Sequence, residues 1–306
     1  MLSRVADALY WMARYVERAE HTARVLEVER RLQIDLDAID PRSASVHRAR
    51  TLAILGLPED VGFEEALLDS GLDSTVAASL SRARENARQV REVISSEMWD
   101  YLNQAYWVLE DAARLRRRGE LVSDLFGRVM RESFLWSGVA DATMGRGPGW
   151  LFIRMGQFVE RADTSARIVG AQWSELAAGG ASQPQTDRDN FALLTMLRTC
   201  GALEEYRKRF PMRLDPKQIG AFLVLDRTYP RTVGYALMVA AQFCERLREV
   251  APERGYRVMR GFGKLAARVQ YTEADELLTI GPGPYLQDVV DELRAAATEL
   301  ASAYFS

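Results

Sequence analysis

The chain has 306 residues, of which 48% are hydrophobic and 27% are charged, and its formal net charge is −3. This composition excludes a disordered, collagen-like or disulfide-rich chain, and the balanced charge excludes an overall attraction to nucleic acid or to an anionic membrane. The only histidines are His21 and His47 and the only cysteines are Cys200 and Cys244, which excludes a His-rich metal centre and a Cys-rich zinc site.

The N-terminal residues 1–20 lack the basic segment, the apolar run and the small-residue cleavage site of a secretory signal. The longest strongly apolar window, residues 235–244, is about half as long as a membrane span. We therefore expect a cytoplasmic protein with reduced thiols and with neither a membrane nor a nucleic acid as its partner.

Apolar residues recur at steps of three and four along almost the whole chain, and the alternation typical of strands is scarce. The first such segment predicts a helix over residues 3–37 that ends before Pro41. The seam of this helix comprises Leu2, Val5, Leu9, Met12, Val16, Ala19, Ala23 and Leu26. Later helices are predicted at residues 45–55, 64–68, 75–118 with a bend at 95–96, 121–144, 150–177, 188–200, 216–225, 230–250, 257–271 and 284–304.

Capping residues and breaks set several of these boundaries. Ser74 or Thr75 is suited to cap the helix that follows, and Asp215 with Pro216 forms an N-cap and a first helical turn. We predict an all-α fold, a multi-helix antiparallel bundle of about ten to twelve helices. The bundle is expected to be a single domain over residues 1–306, with the linker at 178–187 as a candidate sub-boundary.

One long helical sequence occurs twice in the chain. Residues 9–26 read LYWMARYVERAEHTARVL, and residues 152–169 read FIRMGQFVERADTSARIV, with a spacing of 143 residues between the copies. Small alanines lie at the centre of the seam in both copies, and they allow a neighbouring helix to approach closely. We therefore predict that the two repeat helices are neighbours.

Acidic residues and arginines keep fixed positions beside the seam in both copies. Glu17 and Arg24 lie seven residues apart, so they share a stripe at the border of the buried face, and Glu20 precedes Arg24 by four residues, which is a favourable order. The polar residues of the two copies are Glu17, Arg18, Glu20 and Arg24, and Glu160, Arg161, Asp163 and Arg167. Two other segments bring further acids and arginines, namely Arg84, Glu85 and Arg88, and Asp226, Arg227 and Arg231.

Four segments together resemble one protein family. They read LYWMARYVERAEHTARVL, ARENARQVR, WLFIRMGQFVERADTSARIV and FLVLDRTYPRTVGYAL, and they resemble the alpha-E family of bacterial all-helical proteins named for a Glu-Arg motif. The resemblance implies an all-α fold and two partners, a circularly permuted ATP-grasp ligase and a transglutaminase-like cysteine peptidase, because such proteins are commonly encoded together. It supplies neither a reaction nor a substrate. His21 stands where the first motif often has Asn.

The Glu-Arg residues allow three interpretations. The first is a partly buried network of ion pairs that fixes how the helices pack, and the second is a polar pocket in which arginines hold an anionic ligand. The third is a metal site, since Glu17 with Glu20 and Glu160 with Asp163 are acid pairs at the spacing found in di-iron bundles. Such bundles use Glu-x-x-His, and the adjacent arginines repel a cation, so we expect no metal and no cofactor.

Two classes of function remain. The first is an accessory or scaffold component of an ATP-grasp-linked system for peptide synthesis or modification. The second is an enzyme subunit whose Glu/Asp–Arg pocket binds an anionic peptide or amino-acid intermediate and performs acid/base chemistry. The sequence favours the first because it shows many ion-pair partners but no recognisable nucleophile or cofactor motif. It leaves open whether the protein is a homo-oligomer.

Overall fold

The computed structural model describes residues 2–37, 41–118, 124–178, 187–211, 214–250 and 252–306. These residues form fourteen helices and no strand, which confirms the predicted all-α fold. The helix count exceeds ten to twelve for two reasons. The stretch predicted at 75–118 is two helices, and two short helices, Leu203–Arg209 and Ala274–Ile280, were not predicted.

The chain divides into two compact units, Met1–Gln157 and Phe158–Ser306. The boundary between them falls inside the second repeat helix. The sequence instead suggested a sub-boundary in the linker at 178–187, of which residues 179–186 lie outside the described residues.

The first unit is arranged around the first repeat helix. Its helices are α1 (Ser3–Asp37), α2 (Pro41–Ile54), α3 (Phe63–Leu68), α4 (Val76–Gln89), α5 (Ser96–Arg117), α6 (Leu125–Thr143) and the beginning of α7 (Pro148–Ala178). Helix α1 begins and ends at the predicted residues and packs against α4 and α6. Its seam is buried from Leu9 to Leu26, whereas Leu2 is 63% exposed. The apolar periodicity therefore identified the core-facing side of α1 except at its first turn.

Two hydroxyl caps divide the predicted 75–118 helix. The Thr75 side chain accepts a hydrogen bond from the Ala78 amide and begins α4, while Ser95 accepts one from the Met98 amide and begins α5. Of the two cap candidates named from the sequence, Ser74 and Thr75, the cap is Thr75. Ser74 has a φ of 68°, outside the range that an N-cap adopts.

The second unit contains the rest of α7 and seven further helices. These are α8 (Asp187–Thr199), α9 (Leu203–Arg209), α10 (Pro216–Leu225), α11 (Val233–Val250), α12 (Pro252–Tyr271), α13 (Ala274–Ile280) and α14 (Pro282–Tyr304). Helix α12 packs against both α11 and α14. The Asp215 cap was predicted correctly, since its carboxylate accepts a hydrogen bond from the Gln218 amide at 3.1 Å.

The prediction that Pro230 opens a helix was wrong, because the helix begins three residues later. Thr232 is the residue before α11, and its hydroxyl oxygen lies 3.3 Å from the Tyr235 amide that donates to it. The preceding turn is held by Asp226, which accepts hydrogen bonds from the amides of Thr228 and Tyr229, each at 2.8 Å. These side-chain bonds place Pro230 in the turn.

The turn before α11 repeats the turn before α4. The Thr75 hydroxyl donates to the Asp69 carbonyl, and the Thr232 hydroxyl donates to the Asp226 carbonyl, both at 2.5 Å. The two aspartates each accept a hydrogen bond from the amide two residues later, at 2.7 Å and 2.8 Å respectively. The repeat therefore extends beyond the long helix to a turn and the helix that follows it.

Candidate functional site

Helix α1 and the beginning of α7 contact each other closely within the first unit. A Cβ atom added to Gly156 would lie 2.2 Å from the carbonyl oxygen of Tyr10 and 3.3 Å from the Cβ of Ala13. Gly156 is the repeat counterpart of Ala13, so equivalent positions of the two copies meet at this contact. In this part of the chain, the prediction that the repeat helices are neighbours is confirmed.

The acidic residues of the first copy are buried. Glu17, Glu20 and His21 are 5%, 2% and 2% exposed, and all three lie on one side of α1. The Nε2 atom of His21 is 3.3 Å from Oε1 of Glu17, and Arg24 donates a hydrogen bond to Oε1 of Glu20. Of the stripe that the sequence placed at the border of the seam, Glu17 is therefore in the interior, whereas the Arg24 side chain is 16% exposed.

A chain of hydrogen bonds joins Glu17 to helices α6 and α7. The Nε2 atom of Gln157 donates to Oε2 of Glu17 at 3.2 Å and to the Ser137 hydroxyl at 3.0 Å. Arg154 donates to Oε1 of Gln157 at 2.6 Å and lies 3.5 Å from a carboxylate oxygen of Asp141. Because buried polar groups need partners, this chain fixes the relative positions of α1, α6 and the first turns of α7.

Sequence reasoning missed Gln157, Ser137, Arg154 and Asp141. The repeat directed attention to residues shared by both copies, whereas the counterpart of Gln157 in the first copy is Arg14. One feature of the sequence could have identified Gln157. It lies three residues before Glu160 and one heptad after Trp150, which places it on the buried side of the predicted helix.

The two histidines have different environments. Both ring nitrogens of His21 are buried and have no hydrogen-bond partner among the described residues. The Nδ1 atom of His47 lies 3.3 Å from a carboxylate oxygen of Glu29 and 3.4 Å from the Thr51 hydroxyl. The Nε2 atom of His21 therefore contacts Glu17 at 3.3 Å without forming a hydrogen bond, and Nδ1 has no hydrogen-bond partner among the described residues.

The second copy is also buried but makes different contacts within the second unit. Glu160 is fully buried and Asp163 is 8% exposed. Arg167 donates to Asp163 at 2.9 Å, which repeats the pairing of Arg24 with Glu20. Arg161 donates to the Pro230 carbonyl at 3.3 Å, so this part of α7 is attached to the turn before α11.

The other candidate residues lie at separate places. Arg88 donates to Glu85 at the surface of α4, and this hydrogen bond lowers the pKa of Glu85. Arg84 donates to the Asn103 side chain at 2.7 Å and lies over the Tyr106 ring, with 4.7 Å between the guanidinium carbon and the ring centroid. Arg84 therefore connects α4 to α5, whereas Arg88 and Glu85 pair within α4.

Of the remaining candidates, Asp226 pairs with Arg209, a residue of the unpredicted helix α9, at 2.6 Å. Partial burial acts to raise the pKa of Asp226, but hydrogen bonds from Thr228 and Tyr229 and the charge of Arg209 lower it overall. Arg227 is exposed, and the backbone carbonyl of Arg231 accepts a hydrogen bond from a serine of α7. Arg18 lies over the Tyr15 ring. Asp226 and Arg231 therefore act in the turn before α11, and Arg18 contacts a ring of its own helix.

Both cysteines are buried in the second unit. Cys200 and Cys244 are 3% and 1% exposed, and burial raises the pKa of the Cys244 thiol. A buried thiol with a raised pKa is a poor nucleophile, because the reactive form is the thiolate. Their environment is therefore that of packing residues.

None of the helices in the described ranges is long and apolar enough to cross a membrane.

The chain is similar to several known proteins and to one protein family. Uncharacterised proteins from Mycobacterium bovis and from two strains of Mycobacterium tuberculosis are 24–25% identical over alignments of 338 positions, which cover 97% of this chain. The chain spans 37% of the length of these relatives, and no solved structure matches it. The profile of the Alpha-E family, described as a predicted alpha-helical domain with a conserved ER motif, matches residues 1–305, so the chain belongs to the Alpha-E family.

Proposed function

We propose that the protein is an accessory or scaffold component of an ATP-grasp-linked system for peptide synthesis or modification. The observation that carries this proposal is the use of the repeated acids and arginines as internal connections. Gln157 holds Glu17, Arg24 holds Glu20, and Arg167 holds Asp163. The Gln157 bond joins α1 to α7, while the two arginine–carboxylate pairs lie within α1 and within α7. Buried bonds of both kinds support a rigid body suited to presenting a surface to a partner.

The environment of the cysteines supports the same proposal. Formation or cleavage of a peptide bond through a covalent enzyme intermediate needs an accessible nucleophile, and a cysteine thiolate is a good one. Cys200 and Cys244 are buried in the second unit, and the raised pKa of Cys244 disfavours its thiolate. Neither thiol is therefore placed for covalent catalysis.

The length of the relatives is a further argument for a role beside other proteins. The matched region is 37% of each mycobacterial relative, so in those proteins the Alpha-E region is joined to a longer chain. We propose as partners a circularly permuted ATP-grasp ligase and a transglutaminase-like peptidase, which the family resemblance implies. A cytoplasmic location follows from this proposal, since the ligase needs ATP.

A second function is favoured by one observation. The His21 ring lies 3.3 Å from the Glu17 carboxylate in the interior, and a histidine beside a carboxylate is a common arrangement in acid/base catalysis. The protein would then be an enzyme subunit that acts on an anionic peptide or amino-acid intermediate.

A reconstitution experiment separates the two functions. The purified full chain is mixed with an ATP-grasp ligase encoded beside it, and complex formation and ATP-dependent peptide ligation are measured with and without the chain. We expect a stable complex and a ligation rate that rises only when both proteins are present. Peptide turnover by the chain alone, abolished by Glu17→Gln without a change in melting temperature, would instead establish the enzyme.

A further inference from the structure

We propose that Glu17, Glu20 and His21 bind one divalent transition-metal ion in the first unit. The three residues occupy positions i, i+3 and i+4 of α1, which lie on one face of a helix. Their ligand atoms all lie within 4.8 Å of one another, and all three side chains are buried. One helix therefore presents two carboxylates and an imidazole to a common point.

The closest pair of these atoms already has the spacing of two ligands on one ion. The Nε2 atom of His21 is 3.3 Å from Oε1 of Glu17. With metal–ligand bonds of about 2.1 Å, two ligands at the corners of a tetrahedron are separated by about 3.4 Å. One carboxylate oxygen of Glu20 lies within 4.8 Å of the ligand atoms of Glu17 and His21, so it completes the set of three.

The His21 ring supplies the independent evidence for a ligand. It is 2% exposed, and among the described residues neither ring nitrogen forms a hydrogen bond, although Nε2 lies 3.3 Å from the Glu17 carboxylate. Burying a polar group without a partner is unfavourable, so such a group in a native protein calls for an explanation. An ion between Nε2 and the two carboxylates satisfies this nitrogen.

Neighbouring residues donate hydrogen bonds to the two carboxylates, as residues around a metal site commonly do to the metal ligands. Gln157 donates to Oε2 of Glu17, which orients Oε1 towards His21, and Arg24 donates to Oε1 of Glu20. Ligating carboxylates are commonly hydrogen-bonded in this manner. From sequence, nearby arginines argued against a cation, but the Arg24 guanidinium is engaged with a carboxylate oxygen, which offsets its charge at the site.

The composition of the ligand set points to a particular class of ion. Imidazole suits zinc, iron and other transition metals, whereas Mg²⁺ and Ca²⁺ prefer oxygen ligands alone. Two carboxylates and one imidazole therefore favour Zn²⁺, Fe²⁺ or Mn²⁺. In the second copy the position of His21 is occupied by Thr164, so the repeat offers one such site and not two.

Metal binding to the full chain tests the proposal directly. The purified protein is stripped with a chelator, and the binding of Zn²⁺ and of Mn²⁺ is measured by calorimetry and by elemental analysis after dialysis. Co²⁺ is added as a spectroscopic probe of ligation. We expect one ion per chain, an affinity at least tenfold lower in His21→Asn, and loss of the Co²⁺ absorption bands in that variant.

The second histidine provides a matched control. His47 also lies 3.3 Å from a buried carboxylate, that of Glu29, so His47→Asn removes an equivalent pair without touching the proposed site. We expect its affinity for metal to equal that of the unmodified chain. Absence of binding to the unmodified chain, or equal binding by His21→Asn, would overturn the proposal. His21→Asn introduces the residue that the family motif often carries, so it is the variant most compatible with folding.

Discussion

The same residue types have different energetic roles in the two repeat copies and at the surface. Glu17 and Glu160 are 5% and 0% exposed, whereas the side chain of Glu85, in its pair with Arg88, is 52% exposed. A charge that loses its partner in the interior destabilises a protein by several kcal/mol, typically about 3–5, while an exposed pair contributes little. The position of a Glu-Arg pair relative to the seam therefore decides whether it matters for folding.

Gln157 gives a direct test of the buried network. Gln157→Leu removes its hydrogen bonds to Glu17, Ser137 and Arg154 from a site that is 6% exposed. We expect the free energy of unfolding to fall by about 1–3 kcal/mol, because the partners lose a buried hydrogen bond. Urea denaturation followed by circular dichroism measures this change. Glu85→Gln, at the exposed pair, serves as the control and should leave the midpoint unchanged.

The contribution of Asp226 to the stability of the fold is expected to depend on pH. Its pKa is lowered from the ordinary value of 3.8, because hydrogen bonds from Thr228 and Tyr229 and the charge of Arg209 outweigh partial burial. A group with a lowered folded-state pKa stabilises the fold above its unfolded-state pKa, and the contribution is lost as the pH falls through the folded-state value. We therefore expect Asp226→Asn to lower the stability near neutral pH and to lose less of it than the unmodified chain below about pH 4.

Denaturation midpoints near neutral pH and in mild acid measure both changes. Asp111→Asn is the control, since Asp111 pairs with Arg114 at the surface and its side chain is 65% exposed. An Asp226→Asn variant whose stability followed the unmodified chain at every pH would show that the turn does not depend on this carboxylate.

At the scale of single helices, the sequence predicted best where a long apolar seam existed. The bounds of α1 were predicted because its apolar periodicity runs from Leu2 to Leu26 and Pro41 follows the helix. The helices Leu203–Arg209 and Ala274–Ile280 were not predicted. Each has seven residues and so displays no more than two turns of an apolar period, which makes such short helices, α3 among them, difficult to recognise from sequence. The start of α11 was misplaced because the Thr232 cap depends on hydrogen bonds within a folded turn.

The contact between α1 and α7 depends on a glycine that the repeat analysis did not single out. A Cβ at Gly156 would lie 2.2 Å from a backbone oxygen of α1, so Gly156→Ala forces the helices apart. We expect a loss of about 1–3 kcal/mol in the free energy of unfolding, as in overpacked cores. Gly138→Ala in α6 is the matched control. It has no atom within 4 Å of the added Cβ, and we expect it to gain about 0.5–1 kcal/mol from helix propensity.

At the scale of the whole molecule, the repeat is more extensive than the sequence indicated. The long helices share seven identical residues at one spacing, whereas the turns before α4 and α11 share little more than an aspartate and a threonine at a different spacing, 157 residues. The equivalence of the turns is evident only from their hydrogen bonds. The candidate site was likewise predicted only in part. Periodicity placed Glu17 and Glu20 beside the seam, but their partners from α6 and α7 could be identified only in the folded structure.

Thiol labelling measures the opening of the second unit, because Cys200 and Cys244 both belong to it and the first unit has no cysteine. In native buffer we expect a thiol reagent to react far more slowly than in urea, since both side chains are buried and the pKa of Cys244 is raised.

Thr232→Val removes the cap of the helix that contains Cys244. Loss of a cap costs about 1 kcal/mol, and the carbonyls of Asp226 and Tyr229 also lose the hydrogen bonds that Thr232 donates, so labelling of Cys244 should become at least about fivefold faster. Thr298→Val removes an exposed hydroxyl that donates a hydrogen bond to the Arg294 carbonyl of its own helix, and it should leave the rate unchanged. Rapid labelling of the native chain would show that these thiols are not part of a stable core.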